Sequence, residues 1–380
     1  MAATLRSVAE PLNLFRYDHF APLPQAYRSL APAERDARIR AARGTLGERL
    51  LILGHNYQRW ECNKFADALG DSFKLSRIAA DSRAAHIVFL GVTFMAETAD
   101  IVTGGGRNVI IPSMEASCPM AGMAETVQVE RAWDQITSVI PPDELVPITY
   151  MNSYADLKAF TGRHDGAVCT SSNAYRVFDW AFAQGKRILF MPDEHLGMNT
   201  AEAHGLSDDD WVVWNPWDKD FGGVDSAKLA RAKVVLWKGF CQVHERFKPH
   251  HVEAARAAHP DVKVVVHPDC RREVVRMADH VGSTEEILRV VREAPSGSAW
   301  AVGTEVHLVN YLQMIHPDKR ILQLCGEACL DCNAMRQVDP NYLVWVLEEL
   351  VAGRVVNRVS VPEETARWAR VAVDRMLAIP

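Results

Sequence analysis

The sequence predicts an α/β protein made of three similar small three-layer αβα domains with parallel sheets. Three observations carry this. Short, nearly continuous apolar runs recur along the 380-residue chain. A helical pattern follows almost every one, and strands buried on both faces alternating with helices mean parallel sheets. The runs also end in polar or glycine-rich residues, where open α/β sheets gather their ligands.

In chain order, residues 1–45 read as an N-terminal extension broken by Pro22, Pro24 and Pro32, with a charged, solvated helix opening at Pro32. The first block has strands at Leu50–Gly54, Ile87–Gly91 and Val109–Pro112, and Asp71-Ser72 opens an amphipathic helix through Arg83. The second has strands at Val146–Tyr150, Ala167–Cys169, Arg187–Met191 and Lys233–Trp237. The third has strands at Val262–Val266, Trp300–Val302 and Arg320–Leu324, and Ser283 with Glu286 forms a capping box. Two closing helices follow, Asn341–Ala352 with Gly353 as its stop and Pro362–Leu377. Gly104-Gly105-Gly106 is a candidate mobile loop or a plain solvent turn.

Composition narrows the function. The net charge of −6 argues against a nucleic-acid partner. No apolar run approaches the ~18 residues of a membrane span, and the first residues lack the apolar core of a signal peptide. The expected compartment is the cytoplasm, where thiols stay reduced and clustered cysteines bind metal or do redox chemistry. Three of the eight cysteines, Cys325, Cys329 and Cys332, share one loop. Their C-x3-C-x2-C spacing matches a radical-SAM cluster motif, but lies near the wrong end of the chain, with Asp331 where an aromatic is usual. A zinc knuckle would need a fourth Cys or His nearby, and none follows. The loop therefore has spare cysteines or recruits ligands from elsewhere. Cys118 and Cys241 each follow a strand in the other two blocks. Three thiolates, one per block with no fourth, suit a [4Fe–4S] cluster with one open iron, a Lewis acid rather than an electron wire; buried inert cysteines are the alternative.

Polar residues at strand ends complete the pattern. His55, Tyr57, His244 and His267 are poorly explained as ordinary turn residues. Three helix starts, Asp71-Ser72, Thr170-Ser171-Ser172 and Ser283-Thr284, offer N–H groups and hydroxyls to anions besides capping their helices.

In order, Gly54-His55-Asn56-Tyr57-Gln58, Gly91 to Thr98, Glu115-Ala116-Ser117-Cys118, Thr149-Tyr150-Met151-Asn152, Cys169 to Ala174, Pro192 to Gly197, Trp237 to His244, His267-Pro268-Asp269-Cys270, Gly303-Thr304-Glu305 and Cys329-x2-Cys332-x2-Met335 resemble the quinolinate synthase family over about residues 20–350. The resemblance implies three α/β domains around a pseudo-threefold axis, drawn here as 46–125 plus 333–380, 126–241 and 242–332. It implies a [4Fe–4S] cluster on Cys118, Cys241 and Cys332, the last because Met335 stands three residues on. Cys325 and Cys329 are then expected as idle thiols, with a reversible disulfide as the alternative. The implied reaction condenses iminoaspartate with dihydroxyacetone phosphate to quinolinate, releasing phosphate and water, in NAD biosynthesis beside an aspartate-oxidising enzyme. His55, Tyr57, Tyr150 and Asn152 would line the substrate pocket; Ser72, Ser171, Ser172 and Thr284 would bind anions; His267 and Asp269 would move protons. The chain departs from the family at Asp269, where glutamate is usual, at Asn56, and at Asn333. The shorter Asp269 side chain matters because a misplacement of about 1 Å can cost ~100-fold in rate. Two other functions fit the cysteines: a radical-SAM enzyme using the 325–332 loop, and a non-enzymatic iron–sulfur redox sensor.

Overall fold

The computed structural model describes residues 22–218, 220–326 and 331–379. Its strands are β1 Leu50–His55, β2 Ala68–Gly70, β3 His86–Leu90, β4 Asn108–Ile110, β5 Leu145–Tyr150, β6 Ala167–Cys169, β7 Arg187–Met191, β8 Trp211–Trp214, β9 Val234–Trp237, β10 Lys263–Val266, β11 His280–Val281, β12 Ala299–Gly303, β13 Arg320–Gln323 and β14 Arg358–Val359. They form three sheets, in the orders β14-β4-β3-β1-β2, β6-β5-β7-β9-β8 and β11-β10-β12-β13. All pairings are parallel except β14 with β4. Helices flank each sheet, so the protein is α/β with three αβα units.

The central strands are apolar throughout because both of their faces are covered: β5 and β9 are buried at every position. The chain must cross over between parallel neighbours, and the helices that make the crossovers supply that cover. One order recurs in all three sheets. The first strand of each unit (β1, β5, β10) lies between its second (β2, β6, β11) and its third (β3, β7, β12). Beyond the third lies β4, β9 or β13. Connections therefore leave the first strand in opposite directions, which opens a crevice at its carboxyl end.

Four strands escape a sequence reading: β2, β8, β11 and β14. All but β8 have three residues or fewer, and all four lie at sheet edges. Short edge strands carry too few residues to show a periodic pattern. Gly104 and Gly105 form a helix stop. Both have positive φ, and the Gly105 N–H reaches back to the Asp100 carbonyl at 3.1 Å, closing the helix Thr93–Thr103.

The final helix, Glu363–Ala378, packs on the helix Ala155–Arg163, which follows β5. Gly162 makes this contact: a Cβ there would lie 2.0 Å from the Trp368 carbonyl oxygen. Alanine would gain about 1 kcal/mol in helix propensity, but its methyl would meet backbone, which cannot rotate away. Gly162→Ala is therefore expected to destabilise the protein by about 1–3 kcal/mol, read as a lower urea midpoint for the first unfolding transition; an unchanged or higher midpoint would show that the two helices separate freely.

Candidate active site

The carboxyl ends of the three sheets meet at one cavity. Its walls include His55 at the end of β1 and Tyr57 after it, Ser72 after β2, Cys118 after β4, Tyr150 at the end of β5 and Asn152 after it, Ser171 after β6, Cys241 after β9, His267 and Asp269 after β10, Thr284 after β11 and Cys332 after β13. Two larger surface depressions gather no cysteine. Of the residues expected at the site from sequence, Ser172 alone does not line the cavity. It lines an outer depression, and its hydroxyl donates to Asp71 Oδ2. Cys325 is disulfide-bonded, not the idle thiol expected, and Cys329 lies outside the described residues.

The three cysteines share a local design. Each is followed by a tight turn whose backbone N–H groups face the sulfur: Met120 and Ala121 for Cys118, His244 for Cys241, and Ala334 and Met335 for Cys332. Such donors favour thiolate. Burial outweighs them, pushing Cys118 up to about 11 and Cys332 up to about 12, and Cys241 well above the ordinary thiol range. The sulfurs are close enough to add to this: Cys118 and Cys332 both raise Cys241. A cation held among them reverses the effect and displaces the thiol protons. The other free cysteines, Cys62, Cys169 and Cys270, are fully buried, whereas these three are partly exposed.

Beside the cysteines lies a proton-bearing cluster. Asp269 is 1% exposed. It accepts a hydrogen bond from the Tyr150 hydroxyl at 3.3 Å, and its Oδ1 lies 3.3 Å from His267 Nδ1. Burial alone would raise its pKa, but His267 foremost, then His244 and Tyr150, hold it below the usual carboxylate value. The His267 ring stacks on His244 with centroids 4.4 Å apart, and His267 Nε2 meets Ser171 Oγ at 3.1 Å. Tyr57 bonds to Thr304 Oγ1 at 2.7 Å and His244 Nε2 at 3.3 Å. Burial pushes both phenols, Tyr57 and Tyr150, well up, so they donate rather than ionise.

His244 is the residue sequence reasoning left without a role. It is 1% exposed, and its Nδ1 has no hydrogen-bond partner. Asp269 Oδ1 is likewise buried without one. One ligand atom each from Cys241, His244 and Asp269 lie within 4.8 Å of one another. Its signal in sequence was its position three residues past a candidate ligand. Thr304 and Glu305, after β12, were also missed as site residues, because an acid after a strand reads as an ordinary helix cap. Asn56 joins two units, its Nδ2 donating to Thr284 Oγ1 at 2.9 Å and Glu285 Oε1 at 3.0 Å.

Fold and cavity together define an α/β enzyme with a buried acid–base cluster beside three convergent thiols. The chain matches the family described as Quinolinate synthetase A protein over residues 37–378. It is similar to the quinolinate synthase of Halobacterium salinarum, 56% identical over 368 residues, 97% of this chain and 98% of the relative. It is 49% identical to that of Acidobacterium capsulatum over 376 residues, 98% of each. The Corynebacterium glutamicum quinolinate synthase is 49% identical over 358 residues, 94% of this chain and 90% of the relative. The chain belongs to the quinolinate synthase family, enzymes of NAD biosynthesis. Among the described residues no helix is long and apolar enough to cross a membrane.

The buried histidines give a pH signature. Burial, with His267 second, lowers the His55 pKa to about 3, and its Nδ1 accepts a hydrogen bond from the Tyr57 N–H. An imidazole in the unfolded chain protonates near ~6.5. The stability contributed by neutral His55 is therefore complete above that pH and is lost as pH falls toward the folded value, by up to ~1.4 kcal/mol per unit. In denaturation series from neutral to mildly acid pH, His55→Asn should lose stability less steeply than the wild type; equal slopes would place His55 in contact with water.

Proposed function

We propose that the chain condenses iminoaspartate with dihydroxyacetone phosphate to form quinolinate, with release of phosphate and water. We propose further that Cys118, Cys241 and Cys332 hold a [4Fe–4S] cluster. The observation that carries this is the convergence of one half-buried cysteine from each sheet on a cavity where His244 Nδ1 is buried without a hydrogen-bond partner. The donor set fits the group: the three sulfurs would hold it, and the unpartnered His244 Nδ1 beside them leaves a polar place for substrate or water. When bound, the cluster supplies a Lewis-acidic iron with a free coordination position.

The remaining work falls to side chains. Closing a pyridine ring requires protons to be taken from carbon and returned to departing oxygens. His267 and Asp269, 3.3 Å apart, are placed to share that traffic. Tyr57 and Tyr150, kept protonated by burial, orient carbonyl or carboxylate oxygens as donors, with Asn152 and His55 on the same wall. Both substrates are anions, yet no Lys or Arg lines the cavity among the described residues. Ser72 and Thr284, each at the first turn of a ten-residue helix, and Ser171 before the nine-residue helix Ala174–Phe182, would bind phosphate and carboxylate through N–H and hydroxyl groups. Ser172 would act indirectly, by holding Asp71.

A radical-SAM centre would need Cys325, Cys329 and Cys332 as three thiolates of one loop. Cys325 is disulfide-bonded, and Cys332 faces Cys118 and Cys241 instead. A redox sensor would have no use for the acid–base cluster.

The test is quinolinate formation by anaerobically purified protein given dihydroxyacetone phosphate and freshly generated iminoaspartate, with iron and sulfide counted on the same sample. Product is expected, with sulfide equal to iron. A fully loaded sample that makes none would sink the reaction, and iron without sulfide would point to a mononuclear site at Cys241, His244 and Asp269. Cys118→Ser, Cys241→Ser and Cys332→Ser should each lose the visible cluster absorbance and the activity, while Cys62→Ser keeps both. Asp269→Asn should retain iron and lose roughly 10²–10⁴ in kcat; wild-type turnover would remove Asp269 from the proton path.

A further inference from the structure

In each unit the turn that follows the third strand is tied to the loop that carries the cysteine. In the first, Thr93 follows β3, and both its N–H (2.9 Å) and its Oγ1 (3.0 Å) donate to the carbonyl of Ala116, two residues before Cys118. In the second, the N–H of Glu194 after β7 donates at 2.8 Å to the carbonyl of Gly239, two residues before Cys241. These two ties use backbone N–H groups and survive side-chain replacement.

The third unit is built differently. Glu305 follows β12 and is 0% exposed. Its Oε1 accepts from the Cys332 backbone N–H at 3.1 Å and pairs with His307 Nδ1 at 2.8 Å, while Oε2 accepts from the His307 N–H at 2.7 Å. The tie therefore runs through a side chain, grips the cysteine's own peptide, and reverses donor and acceptor. Cys332 has no capping bond of its own where it opens the short helix Asn333–Arg336.

We propose that Glu305 is a positioning residue for the iron–sulfur group: its carboxylate fixes the peptide of Cys332, so that this sulfur meets the other two. The inference rests on the cluster reading given above. Glu305 also caps the helix Val306–Ile315, so a cap and a clamp must be told apart. Serine caps a helix well but is too short to reach Cys332. Glutamine keeps a carbonyl at the same reach.

The experiment is iron release to a colorimetric chelator from anaerobically reconstituted wild type, Glu305→Ser, Glu305→Gln and Thr93→Val, with thermal unfolding of each metal-free protein. Glu305→Ser should unfold close to the wild-type temperature yet release iron roughly 10–100-fold faster, the range for a lost partner of a metal ligand. Glu305→Gln should release iron more slowly than Glu305→Ser, and Thr93→Val, which keeps its backbone tie, at the wild-type rate. Iron release from Glu305→Ser at the wild-type rate, or from Glu305→Gln as fast as from Glu305→Ser, would overturn the proposal. Should Glu305→Ser not fold, Glu305→Asp, which also caps a helix and is one methylene too short for Cys332, takes its place: faster release than from Thr93→Val supports the clamp, and equal release overturns it. A wild type that takes up no iron with sulfide would instead overturn the cluster reading.

Discussion

A buried carboxylate, Asp269, acts on most of the groups that line the cavity. Asp269 is 1% exposed and raises the pKa of groups on every side: Cys118, Cys241, Tyr57, Tyr150 and Asp193. A low-dielectric pocket accommodates one carboxylate if a partner compensates it, and makes a second costly. His267 is that partner. The result is a cavity in which the thiols and phenols keep their protons and His55 and His244 are neutral, both held to about 3 mainly by burial. In the proposed reaction, proton transfer falls to Asp269 and His267, and the surrounding residues act as fixed donors and acceptors.

The repeated strand order explains how the chain delivers these groups to one place. The first strand of each unit ends in a pair two residues apart: His55 and Tyr57, Tyr150 and Asn152, His267 and Asp269. The second ends at Ser72, Ser171 or Thr284, and the strand beyond the third leads to Cys118, Cys241 or Cys332. Under the proposed reaction, position in the sheet sorts chemistry: proton transfer and orientation at the crevice strand, anion contact beside it, sulfur on the far side. The third strand supplies no group to the reaction in the proposed scheme. Its following turn holds the cysteine loop, which is why Glu305 reads as structure until its hydrogen bonds are followed.

Much of this was legible in the chain. The buried strands are plain apolar runs, and the pairs two residues apart keep the alternation of the strand into its loop, which brings both members to one wall. What stayed hidden has physical causes. The short edge strands β2, β11 and β14 carry too little pattern. Ser171 and Ser172 look equivalent in sequence, but adjacent residues point apart, and one faces the cavity while the other grips Asp71. His244 depends on a contact to Tyr57 in another unit, and Glu305 on one within its own unit to a residue 27 positions away, which no local pattern encodes. The disulfide at Cys325 was read only as the alternative, because the expectation of idle thiols came from the cell compartment and not from geometry.

The lack of cationic side chains in a cavity meant for two anions follows from the same constraint. A lysine or arginine beside Asp269 would pair with it and remove it as a base, and a mobile cation would compete with any metal for the sulfurs. Helix starts avoid both costs. Each carries roughly half a positive charge in fixed N–H groups and has no proton to exchange with Asp269 or His267. Three such starts around one cavity can offset a phosphate or a dicarboxylate while leaving Asp269 ionised. Asn56, donating to Thr284 and Glu285 from the neighbouring unit, keeps one of those starts in place without adding a charge. The N–H groups of these helix starts thus offer the proposed substrates positive partial charge without adding an exchangeable proton.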